Sequence, residues 1–242
     1  MKVLISAAEA SSDMHGAELL KALKEELKSQ DQKIDLEVFG AGGPLLQAQG
    51  LKPIVDARDL LAMGVVEVFS RLPQVLRALR KLTQGARAQK PDFALVIDYP
   101  EFHFKLAKKL KKLNIPVFYY IPPKVWVWRK KRLQFIKHYF KKVFLILPFE
   151  QEIYDQEGVS AQYVGNPLID ELPLDLTREE ARAKLQIAFD ECVLILMPGS
   201  RPSELKYHLE VMLDSALQVS RKFLPQSLRV LMPLPYTADL QK

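Results

Sequence analysis

The chain has 242 residues, 48% of them hydrophobic and 26% charged, with a net charge of +6 at neutral pH. That length buries roughly 70% of the unfolded surface as one large domain or two small ones, and the composition is that of a globular protein rather than a disordered or collagenous one. No apolar run approaches the ~18–20 residues of a membrane span, and residues 1–30 lack a signal-peptide pattern, so the chain is expected in the cytoplasm.

Strands and helices alternate from the first residues. "KVLIS" (2–6) is a strand, and 14–28 is a helix with Leu20, Leu23 and Leu27 on one face. "IDLEVFG" (34–40) is a strand that runs into a Gly-rich turn. Residues 71–88 form an amphipathic helix with a stripe of Leu72, Val75, Leu76, Leu79 and Leu82. "FALVID" (93–98) is a strand, 101–113 a helix with Leu106, Leu110 and Leu113 inward, "PVFYYI" (116–121) a strand, 128–140 a basic helix and "KVFLIL" (142–147) a strand. A helix at 149–156 and a short strand near 162–164 follow. Apolar strands alternating with helices indicate a parallel α/β sheet covered on both faces, which binds ligands at the carboxyl ends of its strands.

"NPLIDELPLDLTREE" (166–180), with two prolines, reads as a boundary; Thr177 is the expected cap of a helix over 177–186, with Glu180 three residues on. Strand 192–197, helix 202–223 and strand 228–232 then begin a second unit. The expected domains are 1–168 and 169–242. The second holds only strand–helix–strand, less than the ~100 residues of a usual domain, so the sequence is expected to be a fragment or to be completed by something absent from it. Cys192 has no partner for an internal disulfide and, opening an apolar strand, is expected to be a buried, reduced thiol.

Charge is unevenly placed. From Phe102 to Phe149 there is no acid, only lysines and arginines. Such a block attracts phosphate on nucleic acid, on anionic lipid or on a substrate, unless it is simply a set of solvated helix faces.

Four stretches could carry chemistry. "AAEASSD" (7–13) places Glu9, Ser11, Ser12 and Asp13 on a strand-to-helix turn, where Ser12 or Asp13 serves equally as a helix cap. "VIDYPEF" (96–102) ends a buried strand with Asp98; partial desolvation there raises a carboxyl pKa and suits a general base, while a cap for the next helix is the plainer role. "IPPKVWVWRKKR" (121–132) sets Trp126 and Trp128 beside Arg129 and further cations, a surface for sugar, lipid interface or base, or one in which a tryptophan packs under the helix. "PGSR" (198–201) combines Gly199, Ser200, a helix N-terminus and Arg201, the parts of an anion site, unless Arg201 merely pairs with Glu204. His15, His103, His138 and His208 have no ligand spacing, so no metal motif is present, and the first turn lacks the glycines of a dinucleotide fingerprint.

Taken in order, "AEASSDMHGAELLKAL", "GAGGPLLQAQG", "AMGVVEVF", "PDFALVIDYPEFHFKLAKKLKKLNIPVFYYIPPKVWVWRKKR", "LPFEQEIY", "YVGNPLID" and "MPGSRPSE" resemble the lipid-A-disaccharide synthase family. The family usually has Gly at Ala8 and Ser12, Asp at Glu101, Asn at His103, Ser at Pro122 and His at Asn166. The resemblance implies a GT-B fold: a Rossmann-like parallel-sheet domain on the acceptor side, followed by an incomplete Rossmann-like domain for the sugar nucleotide. It implies an inverting transfer that joins UDP-2,3-diacylglucosamine to 2,3-diacylglucosamine 1-phosphate (lipid X), giving the β-1,6 disaccharide 1-phosphate and UDP, with no cofactor. Asp98 is then the favoured base, with Asp13 and Glu9 as rivals. Ser11, Trp126, Arg129, Asn166, Gly199, Ser200 and Arg201 are the substrate-binding candidates. The implied setting is the cytosolic face of the inner membrane, with the basic face on anionic lipid, no nucleic acid, and room for a homodimer. The rival readings are another GT-B UDP-sugar transferase or epimerase, and a basic nucleic-acid-binding module.

Overall fold

In the first strand, β1 (Lys2–Ala7), Leu4 faces one side of the sheet and Val3 and Ile5 the other, and all three are buried. A strand apolar on both faces needs cover on both, and the computed structural model, which describes residues 1–30, 34–57, 72–125, 131–199, 202–223 and 228–233, supplies it. β1 joins β2 (Glu37–Gly42), β3 (Lys52–Asp56), β4 (Phe93–Ile97), β5 (Val117–Tyr120), β6 (Lys142–Leu145) and β7 (Ala161–Tyr163) in one parallel sheet of order β3-β2-β1-β4-β5-β6-β7.

Helices α1 (Ala10–Ser29) and α2 (Pro44–Ala48) bring Ala17, Leu20 and Leu46 against Val3, Ile5 and Ile97 on one face. On the other lie α3 (Leu72–Gln89), α4 (Pro100–Lys111), α5 (Lys131–Tyr139) and α6 (Glu150–Gln156), which bury Leu79, Leu82, Leu106, Leu110, Leu133, Ile136 and Tyr154. Burial of each leucine contributes about 1.5–3 kcal/mol. A last short helix, α7 (Pro167–Glu171), follows β7. The doubly wound α/β architecture read from the sequence is therefore present. The strand order reverses between β1 and β4, which makes the carboxyl ends of those two strands the switch point where such sheets bind ligands.

Several expectations change. β3, α2 and α7 are additional elements. β3 contains Pro53, and as the sheet edge it tolerates a residue without an N–H. α1 begins at Ala10 rather than at residue 14. On α3 the buried stripe is Ala78, Leu79, Leu82 and Ala86, with Val75 packed beside it, while Leu76 points outward at 40% exposure. The stripe is thus core, and residues 64–70, "GVVEVFS", lie outside the described residues.

Residues to Asp170 and those from Glu171 form two compact units. In the second, α8 (Arg178–Lys184) opens with the predicted capping box: Thr177 Oγ1 accepts from the Glu180 N–H at 3.2 Å, and Glu180 Oε2 accepts from the Thr177 N–H at 2.9 Å. β8 (Cys192–Ile195) and β9 (Leu228–Leu231) pair in parallel, and α9 (Pro202–Phe223) connects them. Arg229 of β9 holds Glu191, just before β8, with Nε 3.0 Å from Oε1. The expected buried strand is only half covered. Among the described residues β8 pairs with β9 alone, its outer positions face solvent, and Cys192 is an exposed free thiol rather than a buried one. Ile195 and Met197 are exposed as well.

Candidate active site

The turn after β1 is built from small residues. Glu9 is the N-cap of α1, in extended conformation. Its N–H donates to Ser12 Oγ at 2.8 Å, and the Ser12 hydroxyl donates back to the Glu9 carbonyl at 2.8 Å. Ser12 is wholly buried, so where the resembling family has Gly this chain accommodates a hydroxyl by bonding it to the cap backbone. Ser11 stands exposed in the first turn of α1.

Asp13 performs a different task from the one the sequence left open. Its carboxylate is buried and accepts three main-chain N–H bonds: Gly43 at 2.7 Å and Leu46 at 3.2 Å on Oδ1, and Leu45 at 3.0 Å on Oδ2. It caps the N-terminus of α2 and binds the Gly42–Gly43 turn to α1, an arrangement that stabilises a carboxylate at a helix's positive end. A side chain held in this way serves the fold, so the structure does not favour Asp13 as a base.

Asp98 directly follows β4, whose last residue Ile97 pairs with Ala7 of β1, two residues before Glu9. Asp98 and Tyr99 have φ of 52° and 45°, two left-handed residues in succession. Such conformations cost of order 1–3 kcal/mol each outside glycine and concentrate at functional turns. Ile121, at the end of β5, is left-handed too, with φ 57°. Tyr99 is half-buried; burial first, and the negative charge of Glu9 second, push its pKa up to about 12. The structure therefore brings Glu9 and Asp98 to the two strand ends that flank the switch point, and the Tyr99 phenol that follows Asp98 stays protonated.

Sequence reasoning passed over what lies beneath this turn. His103, on α4, is fully buried; its Nδ1 lies 2.6 Å from the Asp98 carbonyl oxygen and its Nε2 lies 2.9 Å from Ser6 Oγ. Tyr119 Oη donates to the same Asp98 carbonyl at 3.0 Å. Burial lowers the His103 pKa to about 4, with the bond to the Asp98 carbonyl opposing, and burial followed by the charge of Asp98 lifts Tyr119 well above the usual phenol range. A signal was available: Ser6, His103 and Tyr119 are polar groups on otherwise apolar strand and helix faces.

The remaining candidates are dispersed. Asn166 caps α7, its Oδ1 accepting from the Leu168 N–H at 3.1 Å. Gly199, in the second unit, has φ +116°, and a Cβ there would stand 2.5 Å from Glu204 Cβ, so the turn admits only glycine. Trp126, Arg129, Ser200 and Arg201 lie outside the described residues. Among the described residues no group of three or more His, Cys, Asp or Glu side chains clusters as a metal site.

The sequence profile described as lipid-A-disaccharide synthetase matches residues 3–239. The lipid-A-disaccharide synthase of Myxococcus xanthus is 40% identical over 241 residues, covering 100% of this chain and 61% of that protein. That of Anaeromyxobacter dehalogenans is 41% identical over 215 residues, covering 89% of this chain and 54% of its own length. The chain thus spans less than two thirds of these relatives. In fold it is similar to the crystal structure of UDP-GlcNAc 2-epimerase from Neisseria meningitidis bound to UDP-GlcNAc, with a TM-score of 0.62, 17% identity, and coverage of 98% of this chain and 67% of that one. The match runs through the β1 turn, the Asp98 turn and into the second unit, and the chain belongs to the lipid-A-disaccharide synthetase family.

Proposed function

We propose that the protein carrying this chain joins UDP-2,3-diacylglucosamine to 2,3-diacylglucosamine 1-phosphate. The acceptor's 6-hydroxyl oxygen forms a bond to C1 of the donor sugar, the C1–O bond to the diphosphate breaks with its electron pair leaving on UDP, and the hydroxyl proton passes to the Asp98 carboxylate. Inversion at C1 needs the base on the side opposite the leaving group. The observation that carries the reading is Asp98 on its left-handed turn at the switch point, in a chain 40% identical to a lipid-A-disaccharide synthase. Glu9 and Tyr99 complete the acceptor side. Trp126 and Arg129 are proposed to hold substrate, and the Gly199–Ser200–Arg201 turn opening α9 to neutralise the departing diphosphate through main-chain N–H groups and a guanidinium. Residues 1–168 are the acceptor-side domain in this reading, and residues 169–242 belong to the nucleotide-sugar side.

The substrates carry acyl chains, so the acceptor-side unit is proposed to work against the anionic cytosolic face of the inner membrane. Among the described residues no helix is long and apolar enough to cross a membrane. The attraction would then come from the basic surface of α4 and α5 together with any apolar side chains that insert.

The test is UDP release and disaccharide formation by protein of its relatives' length. Asp98→Asn is expected to reduce turnover by roughly 100-fold or more with the fold intact. A rate within a few-fold of wild type moves the base to Glu9. Epimerised UDP-sugar formed without lipid acceptor assigns the chain to the epimerase reading.

A further inference from the structure

Asp98 and Tyr99 are held in a conformation that their own sequence opposes. Two left-handed residues in a row are disfavoured for side chains with a Cβ. Tyr99 also precedes Pro100, whose ring pushes its predecessor toward extended backbone, yet Tyr99 has φ 45° and ψ 63°. Something outside the turn must fix it.

The Asp98 carbonyl is the gripped atom. It accepts from His103 Nδ1 at 2.6 Å and from Tyr119 Oη at 3.0 Å. A carbonyl can only accept, so the single proton of the neutral imidazole sits on Nδ1. Nε2 is left as an acceptor, and the Ser6 hydroxyl donates to it at 2.9 Å. Ser6, His103 and Tyr119 are each 0% exposed, so water does not compete for these bonds. The imidazole is walled edge-on by Tyr99, Phe102 and Tyr119, with ring centroids 5.5 to 6.3 Å away, which fixes its plane. Ser6 is the next-to-last residue of β1, Asp98 directly follows β4, and Tyr119 is the next-to-last residue of β5, so one chain of hydrogen bonds ties the ends of three adjacent strands.

We propose that Ser6, His103 and Tyr119 form a buried latch on the Asp98 main-chain carbonyl, and that His103 is a positioning residue that holds the Asp98 carboxylate in the geometry used for transfer. This rests on Asp98 as the base. The latch touches neither substrate nor reacting atoms; it acts through the turn.

Two replacements separate the halves of the imidazole. His103→Asn puts an amide N–H near the place of Nδ1 and keeps the bond to the Asp98 carbonyl, but does not reach Ser6. His103→Gln reaches Ser6 but has no donor near the carbonyl. Turnover is measured in protein of the relatives' length, beside thermal unfolding and the three-bond HN–Hα couplings that report φ at Asp98 and Tyr99. His103→Asn is expected to retain kcat within a few-fold and both positive φ values. His103→Gln is expected to lower kcat roughly 10- to 100-fold with KM little changed, the scale of an ångström of misplacement, and to lose the left-handed couplings. Tyr119→Phe in the His103→Asn background should then lower kcat further. Equal kcat losses for Asn and Gln, or losses that simply follow the unfolding temperatures, overturn the proposal, as do left-handed couplings that persist in His103→Gln. Asp98→Asn measured in parallel tells the two failures apart: if it turns over at the wild-type rate, the base assignment is wrong, and the couplings alone judge the latch.

Discussion

The Asp13 carboxylate occupies the space that a side chain at position 43 would need. Gly43 donates its N–H to Asp13 Oδ1 at 2.7 Å, and a Cβ on Gly43 would stand 2.5 Å from Asp13 Oδ2. The glycine and the acid are therefore one device, since the carboxylate reaches three amides of the α2 turn only because position 43 is bare. Asp13→Asn puts an N–H₂ group where acceptor oxygens are required and leaves a buried amide without a partner. It is expected to destabilise the fold by about 3 kcal/mol, with Gly43→Ala causing a loss of the same order. Urea unfolding of both variants and of the pair checks this. The double variant should cost less than the sum, because each change already breaks the same contact. If Asp13→Asn unfolds at the wild-type midpoint while losing turnover, Asp13 is catalytic after all.

His103 makes stability depend on acid. Its pKa is 6.5 when unfolded and about 4 in the fold, lowered by burial and only partly restored by the bond to the Asp98 carbonyl. The unfolded chain therefore binds the additional proton between those values. Stability from this group is complete above about pH 6.5, falls as the pH drops toward 4, and levels off below that. The whole change is on the order of 3 kcal/mol. Tyr119, which faces the ring, stays protonated throughout because its own pKa lies well above the usual range. Denaturant midpoints measured from pH 7 to pH 4 should decline more steeply for the wild type than for His103→Asn. Parallel curves would show that the imidazole is not buried as neutral.

The basic face divides into two sets of lysines. Lys108 Nζ lies 5.2 Å from the Phe135 ring centroid and Lys111 Nζ 5.2 Å from that of Tyr139, so these two brace α4 against α5. Lys105, Lys109 and Lys112 are exposed. Replacing these three with Gln should weaken binding to phosphatidylserine-containing vesicles at low salt by roughly tenfold or more, at about 1 kcal/mol for each well-placed cation. Salt should weaken wild-type binding in the same direction. Sedimentation unchanged by the triple replacement, or equal on neutral vesicles, removes the electrostatic part of the membrane proposal.

How far the sequence could be read depended on whether the deciding interaction was local. β1 was clear because apolar residues alternate onto two buried faces, and the Thr177–Glu180 box because both halves lie within one turn. β3 is not legible in the sequence, since only the sheet order reveals that 52–56, with Pro53, is an edge strand. In the α3 stripe Val75, Leu79 and Leu82 face the core and Leu76 does not, because leucine is as apolar outside as inside and the partner strand chooses the face. The apolar neighbours of Cys192 argue for burial, but among the described residues its strand pairs with one neighbour and its alternate positions meet solvent. Asp98 was legible as a strand-end carboxylate. Its left-handed turn was not, because "DYP" favours extended backbone, and the groups that overrule it, His103, Tyr119 and Ser6, stand 5, 21 and 92 positions away.

The position of β1 in the sheet also bears on the order in which the chain can assemble. β1 pairs with β2 through Val3 and Val38 on one edge, and with β4 through Val3 and Phe93 on the other. A nascent chain can close the first edge early, but the second must wait until about ninety further residues have emerged, roughly 5–20 s at cellular rates of synthesis. During that interval one side of the strand that carries Ser6 at its end offers unpaired main-chain groups and apolar side chains to any other strand nearby. The β1–β4 seam joins the β1–β3 part of the sheet to the strands made after it, so the crevice proposed for catalysis is also the joint between the early and late halves of the sheet.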